Sequence, residues 1–284
     1  MGGPTMRTIR PLAGGGGGAS VDLVAVGDAM RVLKRQSPRH AMAERLFQQA
    51  LQQAGLPNLR VFEHSDLGPD QVLLEYVEGS TTVGRALSLR SIERYGAAVG
   101  RLHAIPSHRF VRLNSAGQLV AANWPDFLQR TVAKGVALQR QRASGLDAAV
   151  LDRIEAVLAN AEAFEPAYFA LAHGDLHLNN ALVRGDEVVL FDKAPDVWVA
   201  PPVFDLAVIY SEAFPGARYV ASEARKSDPG RLAAFESGYG PLPAGGMAWL
   251  DHFVLVRSLR RYPNPFVPDL LTTIEGALSR CEAG

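Results

Sequence analysis

The chain has 284 residues, of which 48% are hydrophobic and 20% are charged, a composition typical of folded globular proteins. Basic and acidic residues both number 29, so the overall charge gives no indication of a nucleic-acid or membrane-surface partner. A single cysteine, Cys281, excludes an internal disulfide. No apolar run approaches the roughly 20 residues of a membrane span and no signal-peptide pattern is present, so we expect a cytoplasmic protein.

The first part of the chain predicts a small β-rich unit with one helix. Two apolar runs flank the turn pair Gly27-Asp28, a pattern typical of a β-hairpin. Pro38 and Gly55 bracket a helical pattern, because proline favours the first turn of a helix and glycine its end. The predicted elements are strands at residues 21–26, 30–35, 59–63 and 72–76, and a helix at 38–54.

After Gly79 the pattern changes to apolar residues at helical spacing. Short strand-like runs around a polar loop interrupt it at residues 170–192. The order predicts an N-terminal lobe at residues 1–79, with a connector at about 75–79, and a larger helical lobe at residues 80–284. A cleft between two such lobes is a natural ligand site. We expect helices at 89–104, 124–141, 146–163, 203–213, 218–225, 229–238, 246–260 and 268–282.

The segment at residues 173–180 carries the strongest chemical signal, with the sequence His-Gly-Asp-Leu-His-Leu-Asn-Asn. A predicted hairpin follows it, and the second strand of that hairpin leads into Asp192. Phosphoryl transfer requires a carboxylate that orients the attacking hydroxyl, together with oxygen ligands that hold Mg²⁺ against the nucleotide phosphates. Asp175 suits the first role. Asn180 and Asp192 suit the second, because the hairpin brings Asp192 back toward Asn180.

This pattern resembles the catalytic loop and metal-binding aspartate of the aminoglycoside phosphotransferase and choline kinase family. The later sequence Phe204-Asp205-Leu206-Ala207 is similar to the family's Asp-Leu-Ala element, whose aspartate supports the catalytic loop. The resemblance covers residues 11–260 and implies an α+β, bilobal, protein-kinase-like fold. It also implies Asp175 as the catalytic base, with Asn180 and Asp192 as magnesium ligands.

A kinase-type fold also needs a strand lysine that contacts the nucleotide phosphates and a helix glutamate that orients it. Lys34 lies near the end of the second predicted strand, and Glu44 lies ten residues later in the predicted helix. Arg35 is the nearby competitor of Lys34. Strand alternation favours Lys34, which would share a face with Val32. We therefore predict a Lys34–Glu44 ion pair.

Two further segments resemble nucleotide-contacting parts of the family. The run Gly14–Gly18 could bring backbone N–H groups close to phosphate, with Ser20 offering a hydroxyl, or it could be a flexible tail. The connector at residues 74–79 resembles the family's hinge. The resemblance implies adenine bonds to the Glu75 carbonyl and the Val77 N–H.

The sequence therefore predicts an ATP- and Mg²⁺-dependent transferase of phosphate to a hydroxyl of a small molecule, such as an aminoglycoside, a macrolide or another natural product. GTP is the alternative nucleotide. A metabolic kinase of a sugar or amino alcohol and a non-catalytic pseudokinase-like module are the alternative functions. A protein kinase is disfavoured, since the chain lacks His-Arg-Asp, Asp-Phe-Gly and Ala-Pro-Glu elements. No nucleic-acid or membrane partner is expected.

The acceptor should bind to the helical lobe near Asp175. Several arginines offset the acidic residues after Asp205, which disfavours a polycationic acceptor. Lys193, beside the metal aspartate, departs from the family pattern. The candidate acceptor contacts are Trp124, Asp126, Trp198 and Glu212.

Overall fold

The computed structural model describes residues 5–12, 19–142, 145–159, 164, 166, 168–264 and 267–283. The run Gly14–Gly18, predicted to be a phosphate-binding loop or a tail, lies outside the described residues.

The N-terminal lobe is a five-stranded antiparallel sheet with one helix packed on it. Its strand order is β1-β2-β3-β5-β4. Gly27, with a φ of 58°, makes the predicted turn between β2 and β3, and the hairpin prediction is confirmed. The edge strand β1 was not predicted, because its largely polar, exposed sequence lacks an apolar alternation. The elements are β1 (Met6–Pro11), β2 (Ser20–Val26), β3 (Ala29–Arg35), α1 (Pro38–Gln53), β4 (Val61–Phe62) and β5 (Gln71–Glu75).

The larger C-terminal lobe is mainly helical and carries two small sheets, with strand orders β12-β11-β6 and β7-β10-β13-β8-β9. The predicted α+β, two-lobed architecture is confirmed. Among the described residues its elements are β6 (Thr81–Thr82), α2 (Val83–Ala86), α3 (Leu89–His103), β7 (Pro106–Ser107), β8 (Val111–Leu113), β9 (Leu119–Ala121), α4 (Trp124–Gln141), α5 (Ala148–Leu158), β10 (Phe169–Leu171), β11 (Ala181–Arg184), β12 (Glu187–Leu190), β13 (Val199–Ala200), α6 (Pro202–Val208), α7 (Asp228–Tyr239), α8 (Ala244–Met247), α9 (Leu250–Arg261) and α10 (Leu270–Ala283).

One predicted helix is wrong. Residues 218–225 form no α-helix; the segment has only a 3₁₀ turn at Glu223–Arg225, after another at Pro215–Ala217. The predicted helix at 203–213 consists of α6 and a π-helical turn at Ile209–Ala213. The five-stranded sheet of the C-terminal lobe was missed, because strands of two or three residues are too short to show alternation.

An aromatic core fills the C-terminal lobe. Trp124 contacts Phe127, Phe204 and Phe253, with ring centroids 5.6 to 5.9 Å apart. Trp124 and Trp198 are both buried. Trp124 therefore stabilises the core, and its predicted contact with the acceptor is not supported. Within the described part of the chain, no helix has both the length and the apolar character needed to cross a membrane.

Helices α3 and α7 pack with their backbones in close contact. A methyl group on Gly238 would lie 1.8 Å from the Glu93 carbonyl oxygen, and one on Gly96 would lie 2.0 Å from the Phe235 carbonyl oxygen. Only glycine permits this approach, since neither clash is with a flexible side chain. The contact matters because α3 and α7 carry side chains that support the loop at residues 173–180.

We predict that Gly238→Ala lowers the free energy of unfolding by about 2 kcal/mol or more, because α3 and α7 must separate to admit the methyl group. Urea unfolding of the purified chain measures this. Gly230→Ala is the matched control on the same helix, since its new methyl group meets no atom within 4 Å. It should be neutral or stabilising. Equal stabilities of the two variants would contradict the tight packing.

Candidate active site

The segment after β10 is held in place by a buried carboxylate on α6. Asp205 accepts the backbone N–H of His173 through Oδ2 at 2.6 Å and that of Gly174 through Oδ1 at 2.7 Å. His103 Nε2 on α3 lies 3.3 Å from the same carboxylate, and Tyr239 on α7 bonds the other ring nitrogen of His103 at 2.9 Å. Asp205 thus fixes the start of the loop that carries Asp175.

Burial raises the pKa of Asp205, but the hydrogen bond and charge of His103, together with contacts to His173, more than offset it and lower the pKa to about 2. The carboxylate is therefore ionised at neutral pH. An ionised carboxylate is a strong acceptor for the two backbone N–H groups.

The next turn of the loop places Asp175 and Asn180 together. The Asn180 side-chain amide donates to the Asp175 carbonyl at 2.9 Å and to Asp175 Oδ2 at 3.2 Å. Because its NH₂ group is used in this way, the amide oxygen of Asn180 is directed away from Asp175. Tyr95 on α3 donates to the Leu176 carbonyl at 3.0 Å, which ties the middle of the loop to the core.

Three cationic or polar side chains surround the other oxygen of Asp175. Arg261 Nη1 lies 3.0 Å from Asp175 Oδ1, His177 Nε2 lies 3.2 Å from it and Arg257 Nη2 lies 3.5 Å from it. Arg261 also pairs with Glu212 at 3.2 Å. Burial raises the pKa of Asp175, but the hydrogen bond and charge of His177 and the charges of Arg257 and Arg261 hold it well below its usual range.

Asp192 follows β12 in the left-handed backbone region, with a φ of 63°. This conformation turns the chain sharply and directs the carboxylate toward Lys34 on β3, whose Nζ lies 2.5 Å from Asp192 Oδ1. Lys34 also pairs with Glu44 at 3.8 Å. Arg35, the competitor of Lys34, pairs instead with Asp22.

Glu44 is fully buried and links the two lobes. Its Oε2 accepts the backbone N–H groups of Asp192 at 2.7 Å and Lys193 at 3.2 Å. Gln48, one turn later on α1, donates to Glu44 Oε1 and to the Leu190 carbonyl, both at 2.9 Å. Burial raises the pKa of Glu44, whereas Lys34 lowers it. Glu44 therefore positions both Lys34 and the backbone of Asp192.

Asp175, Asn180 and Asp192 line a single cleft of about 740 Å³, together with Glu212 and Arg261. Among the described residues no group of three histidine, cysteine or acidic side chains could hold a metal by itself. Asn180 and Asp192 nevertheless offer an amide and a carboxylate oxygen, the hard donors that Mg²⁺ prefers. Mg²⁺ commonly takes one or two protein ligands and completes its shell with phosphates and waters. The residues therefore fit a nucleotide-bound magnesium ion.

The other predicted nucleotide contacts, Ser20, Glu75 and Val77, are not among the residues that line this cleft. Ser20 is exposed at the start of β2 and does not line the cleft, which is lined instead by its neighbour Ala19. Glu75 ends β5, and its carboxylate accepts the Arg60 N–H at 3.2 Å. Val77 packs against an apolar cluster formed by residues of both lobes, which are Val32, Leu59, Val61, Val72, Leu74, Leu182, Val189 and Phe191.

Lys193 is buried rather than directed outward. Its ammonium group donates to the carbonyl oxygens of Ala194, at 2.7 Å, and Val197, and lies 5.6 Å from the Trp198 ring. Burial lowers its pKa to about 7. Through these hydrogen bonds Lys193 stabilises the segment after Asp192.

Several residues of this site were not predicted as parts of it. Gln48 could have been found, because it lies four residues after Glu44 and shares its helix face. Nothing in the sequence connects His103 to Asp205, or Arg257 and Arg261 to Asp175. Those contacts depend on how distant helices pack.

The pKa of Asp205, about 2 against an ordinary 3.8, means that its ionised form contributes about 2 kcal/mol to the free energy of unfolding above pH 4. Because the folded-state pKa is the lower one, this contribution is lost as the pH falls from about 4 through 2. We predict that the stability advantage of the wild type over Asp205→Asn shrinks over that range, as measured by urea unfolding at each pH.

Asp152→Asn removes the same charge from an exposed helix position and is the control. Near pH 7 it should change the free energy of unfolding by no more than about 0.5 kcal/mol. A difference between the wild type and Asp205→Asn that stays constant from pH 5 to pH 2 would contradict the role assigned to the Asp205 carboxylate.

Comparisons with known proteins identify the family and the fold. Residues 8–249 match the model of the phosphotransferase enzyme family APH. A search of curated proteins finds no significant match. Among solved structures, the aminoglycoside phosphotransferase APH(4)-Ia, in a ternary complex with AMP-PNP and hygromycin B, has a TM-score of 0.65 at 16% identity, covering 98% of this chain and 93% of its own.

Two further structures share the fold. Choline kinase LicA from Streptococcus pneumoniae has a TM-score of 0.60 at 15% identity, covering 100% of this chain and 95% of its own. A putative fructosamine-3-kinase from Haemophilus somnus 129PT has a TM-score of 0.63 at 14% identity, covering 98% and 90%. These neighbours establish the protein-kinase-like fold, and the family match extends over most of the chain. The protein is a member of the APH phosphotransferase family.

Proposed function

We propose that the protein is an ATP- and Mg²⁺-dependent kinase that transfers the γ-phosphate to a hydroxyl of a small molecule in the cytoplasm. The observation that carries the proposal is the convergence of Asp175, Asn180 and Asp192 on one cleft, with Lys34 in contact with Asp192. These groups supply the carboxylate, the metal ligands and the lysine that phosphoryl transfer requires.

The nucleotide would bind between the lobes. Val77, Val32, Leu182 and Phe191 are only partly buried in their apolar cluster, so they can cover an adenine ring. We assign the hydrogen bonds to adenine to the backbone of Glu75 and Val77. Lys34, oriented by Glu44, would contact the phosphates. The AMP-PNP bound to the APH(4)-Ia neighbour supports ATP as the donor.

Asn180 and Asp192 would hold Mg²⁺. When bound, the ion would neutralise charge on the nucleotide phosphates. Lys34 Nζ lies 2.5 Å from Asp192 Oδ1. Lys34 and Asp192 would separate enough to admit the phosphates and the ion.

Asp175 would orient the acceptor. The acceptor oxygen forms a bond to the γ-phosphorus as the bond to the β,γ-bridging oxygen breaks, so that ADP leaves with the electron pair. The hydroxyl proton passes to Asp175. With its pKa held well below the usual range, Asp175 is a weak base. Its main contribution is therefore the alignment of the hydroxyl, which suits a loose transition state that needs little prior deprotonation.

Purified protein incubated with Mg²⁺, ATP and a panel of hydroxyl-bearing antibiotics, sugars and amino alcohols tests the function. ADP release together with a phosphorylated product detected by mass spectrometry would support it. Nucleotide binding without phosphorylation of any acceptor would favour the pseudokinase-like alternative instead.

We predict that Asp175→Asn lowers kcat by about 10²- to 10⁴-fold, because the amide aligns the hydroxyl poorly and takes no proton. Folding and the affinity for AMP-PNP should stay close to those of the wild type. Asp186→Asn, in the exposed turn between β11 and β12, is the matched control and should keep full activity. Near-normal turnover by Asp175→Asn would show that another group performs this role.

Asp192→Ala should weaken the binding of AMP-PNP in the presence of Mg²⁺ by about 10-fold or more, since one of two protein ligands to the ion is lost. Without Mg²⁺ the change should be much smaller, because the variant also removes a negative charge near the phosphates. Calorimetric titration with and without the metal measures both. An equal loss under the two conditions would contradict the metal-ligand role.

A further inference from the structure

A second cavity, of about 340 Å³, lies beside the catalytic cleft and shares Asp175 and Arg261 with it. It lies on the side of Asp175 formed by α9 and the segment after Asp192. Phe127, Phe204 and Val256 contribute apolar surface to it. Its volume is near the lower end of the range for small-molecule sites, so it suits a compact acceptor.

The cavity carries an excess of positive charge. Arg257, Arg260 and Arg261 line it, all from the last turns of α9, against the two carboxylates of Asp175 and Asp196. Among the charges outside the lining, Glu212 and Arg39 offset one another, and the buried Asp205 also acts on Arg257. Glu212 pairs with Arg261, and Arg39 pairs with Asp196 at 2.7 Å. Among the residues that line the cavity, guanidinium groups outnumber carboxylates by one.

Arg260 is the arginine with the weakest internal pairing. Its guanidinium is 55% exposed and lies 3.7 Å from Asp196, which already holds the closer Arg39. Arg257 is nearly buried, and it donates to the Gly174 carbonyl at 3.0 Å. Arg261 is also paired, through Nε with Glu212 at 3.2 Å and through Nη1 with Asp175 at 3.0 Å. The exposed guanidinium of Arg260 therefore keeps donors that a ligand in the cavity could use.

Helix stability alone does not explain the cluster. A helix C-terminus favours cations, which accounts for Arg260 and Arg261 in the last turn of α9. Arg257 lies a turn earlier, three and four residues from these two arginines, where like charges repel. The planar guanidinium group of arginine binds carboxylates and phosphates through two parallel hydrogen bonds. A ligand oxyanion would pair with the weakly paired guanidinium of Arg260 and offset the excess positive charge of the lining.

We propose that the acceptor carries a carboxylate or phosphate group that binds Arg260 and Arg261, next to the hydroxyl aligned by Asp175. This inference rests on the proposed kinase function and deepens it. In this proposal, Arg260 and Arg261 on α9 make the enzyme specific for an anionic small molecule.

Matched sugars test this specificity on the full chain saturated with Mg²⁺ and AMP-PNP. Gluconate carries a carboxylate, glucose 6-phosphate carries a phosphate, glucose is neutral and glucosamine is cationic. The three-carbon set of glycerate, glycerol 3-phosphate and glycerol covers a smaller acceptor. By calorimetric titration, at least one oxyanion should bind 10-fold or more tightly than its neutral parent. The carboxylate and phosphate members distinguish the two sources of negative charge.

Arg260→Gln should weaken the affinity for the preferred oxyanion at least 10-fold and leave the affinity for AMP-PNP unchanged. Arg140→Gln is the matched control, because Arg140 is also 55% exposed and lies on a helix outside both cavities. If no oxyanion binds more tightly than its neutral parent, or if Arg260→Gln has no effect, the inference is wrong.

Turnover with ATP separates the two proposals. Preferential phosphorylation of glucose, glycerol or glucosamine would overturn the anionic acceptor and leave the kinase function intact. Oxyanion binding that depends on Arg260, without phosphorylation of any compound, would support the binding site and overturn the kinase function.

Discussion

The site depends on two buried carboxylates that each bind two successive backbone N–H groups. Asp205 binds the N–H groups of His173 and Gly174, and Glu44 binds those of Asp192 and Lys193. An unsatisfied buried N–H costs about 1–3 kcal/mol, so each carboxylate strongly constrains its loop. The two loops supply the carboxylates proposed to align the acceptor and to bind the metal.

Between these two anchors, the β11–β12 hairpin sets the spacing of the proposed metal ligands. Ala181 pairs with Leu190, and the Phe191 N–H donates to the Asn180 carbonyl at 3.0 Å. Asn180 and Asp192 therefore lie at one end of a hydrogen-bonded ladder, where neither can shift without breaking the register. Glu44 couples this end of the hairpin to Lys34 on β3. A movement of α1 would thus displace the lysine and the Asp192 loop together.

The sequence predicted the residues whose chemistry is local and whose spacing is short. The His-Gly-Asp pattern, the hairpin before Asp192 and the lysine at the end of β3 are all features of a few adjacent residues. The contacts that fix them were not predictable, because they join distant segments. His103 reaches Asp205 across 102 positions of the chain, and Arg261 reaches Asp175 across 86.

The errors have the same physical origin. The pattern at residues 218–225 reads as helical, but Arg218 and Tyr219 bind Asp251 on α9, and the chain there forms only 3₁₀ turns around these contacts. Trp124 was named only as a candidate contact of the acceptor. It packs instead against three phenylalanines, since tertiary burial of an aromatic ring outweighs its availability as a surface contact.

The charges around Asp175 determine whether it would mainly deprotonate the acceptor alcohol or mainly align it. A carboxylate that accepts a proton early in the reaction needs a raised pKa. Burial away from cations would raise the pKa toward neutrality. Here His177, Arg257 and Arg261 lower the pKa of Asp175 instead. The Asp175 carboxylate is therefore a weaker base, but its orientation is fixed, because Asn180 and Arg261 each bind one of its oxygens. Such an environment favours alignment of an alcohol over its deprotonation, which is what the loose transition state of phosphoryl transfer demands.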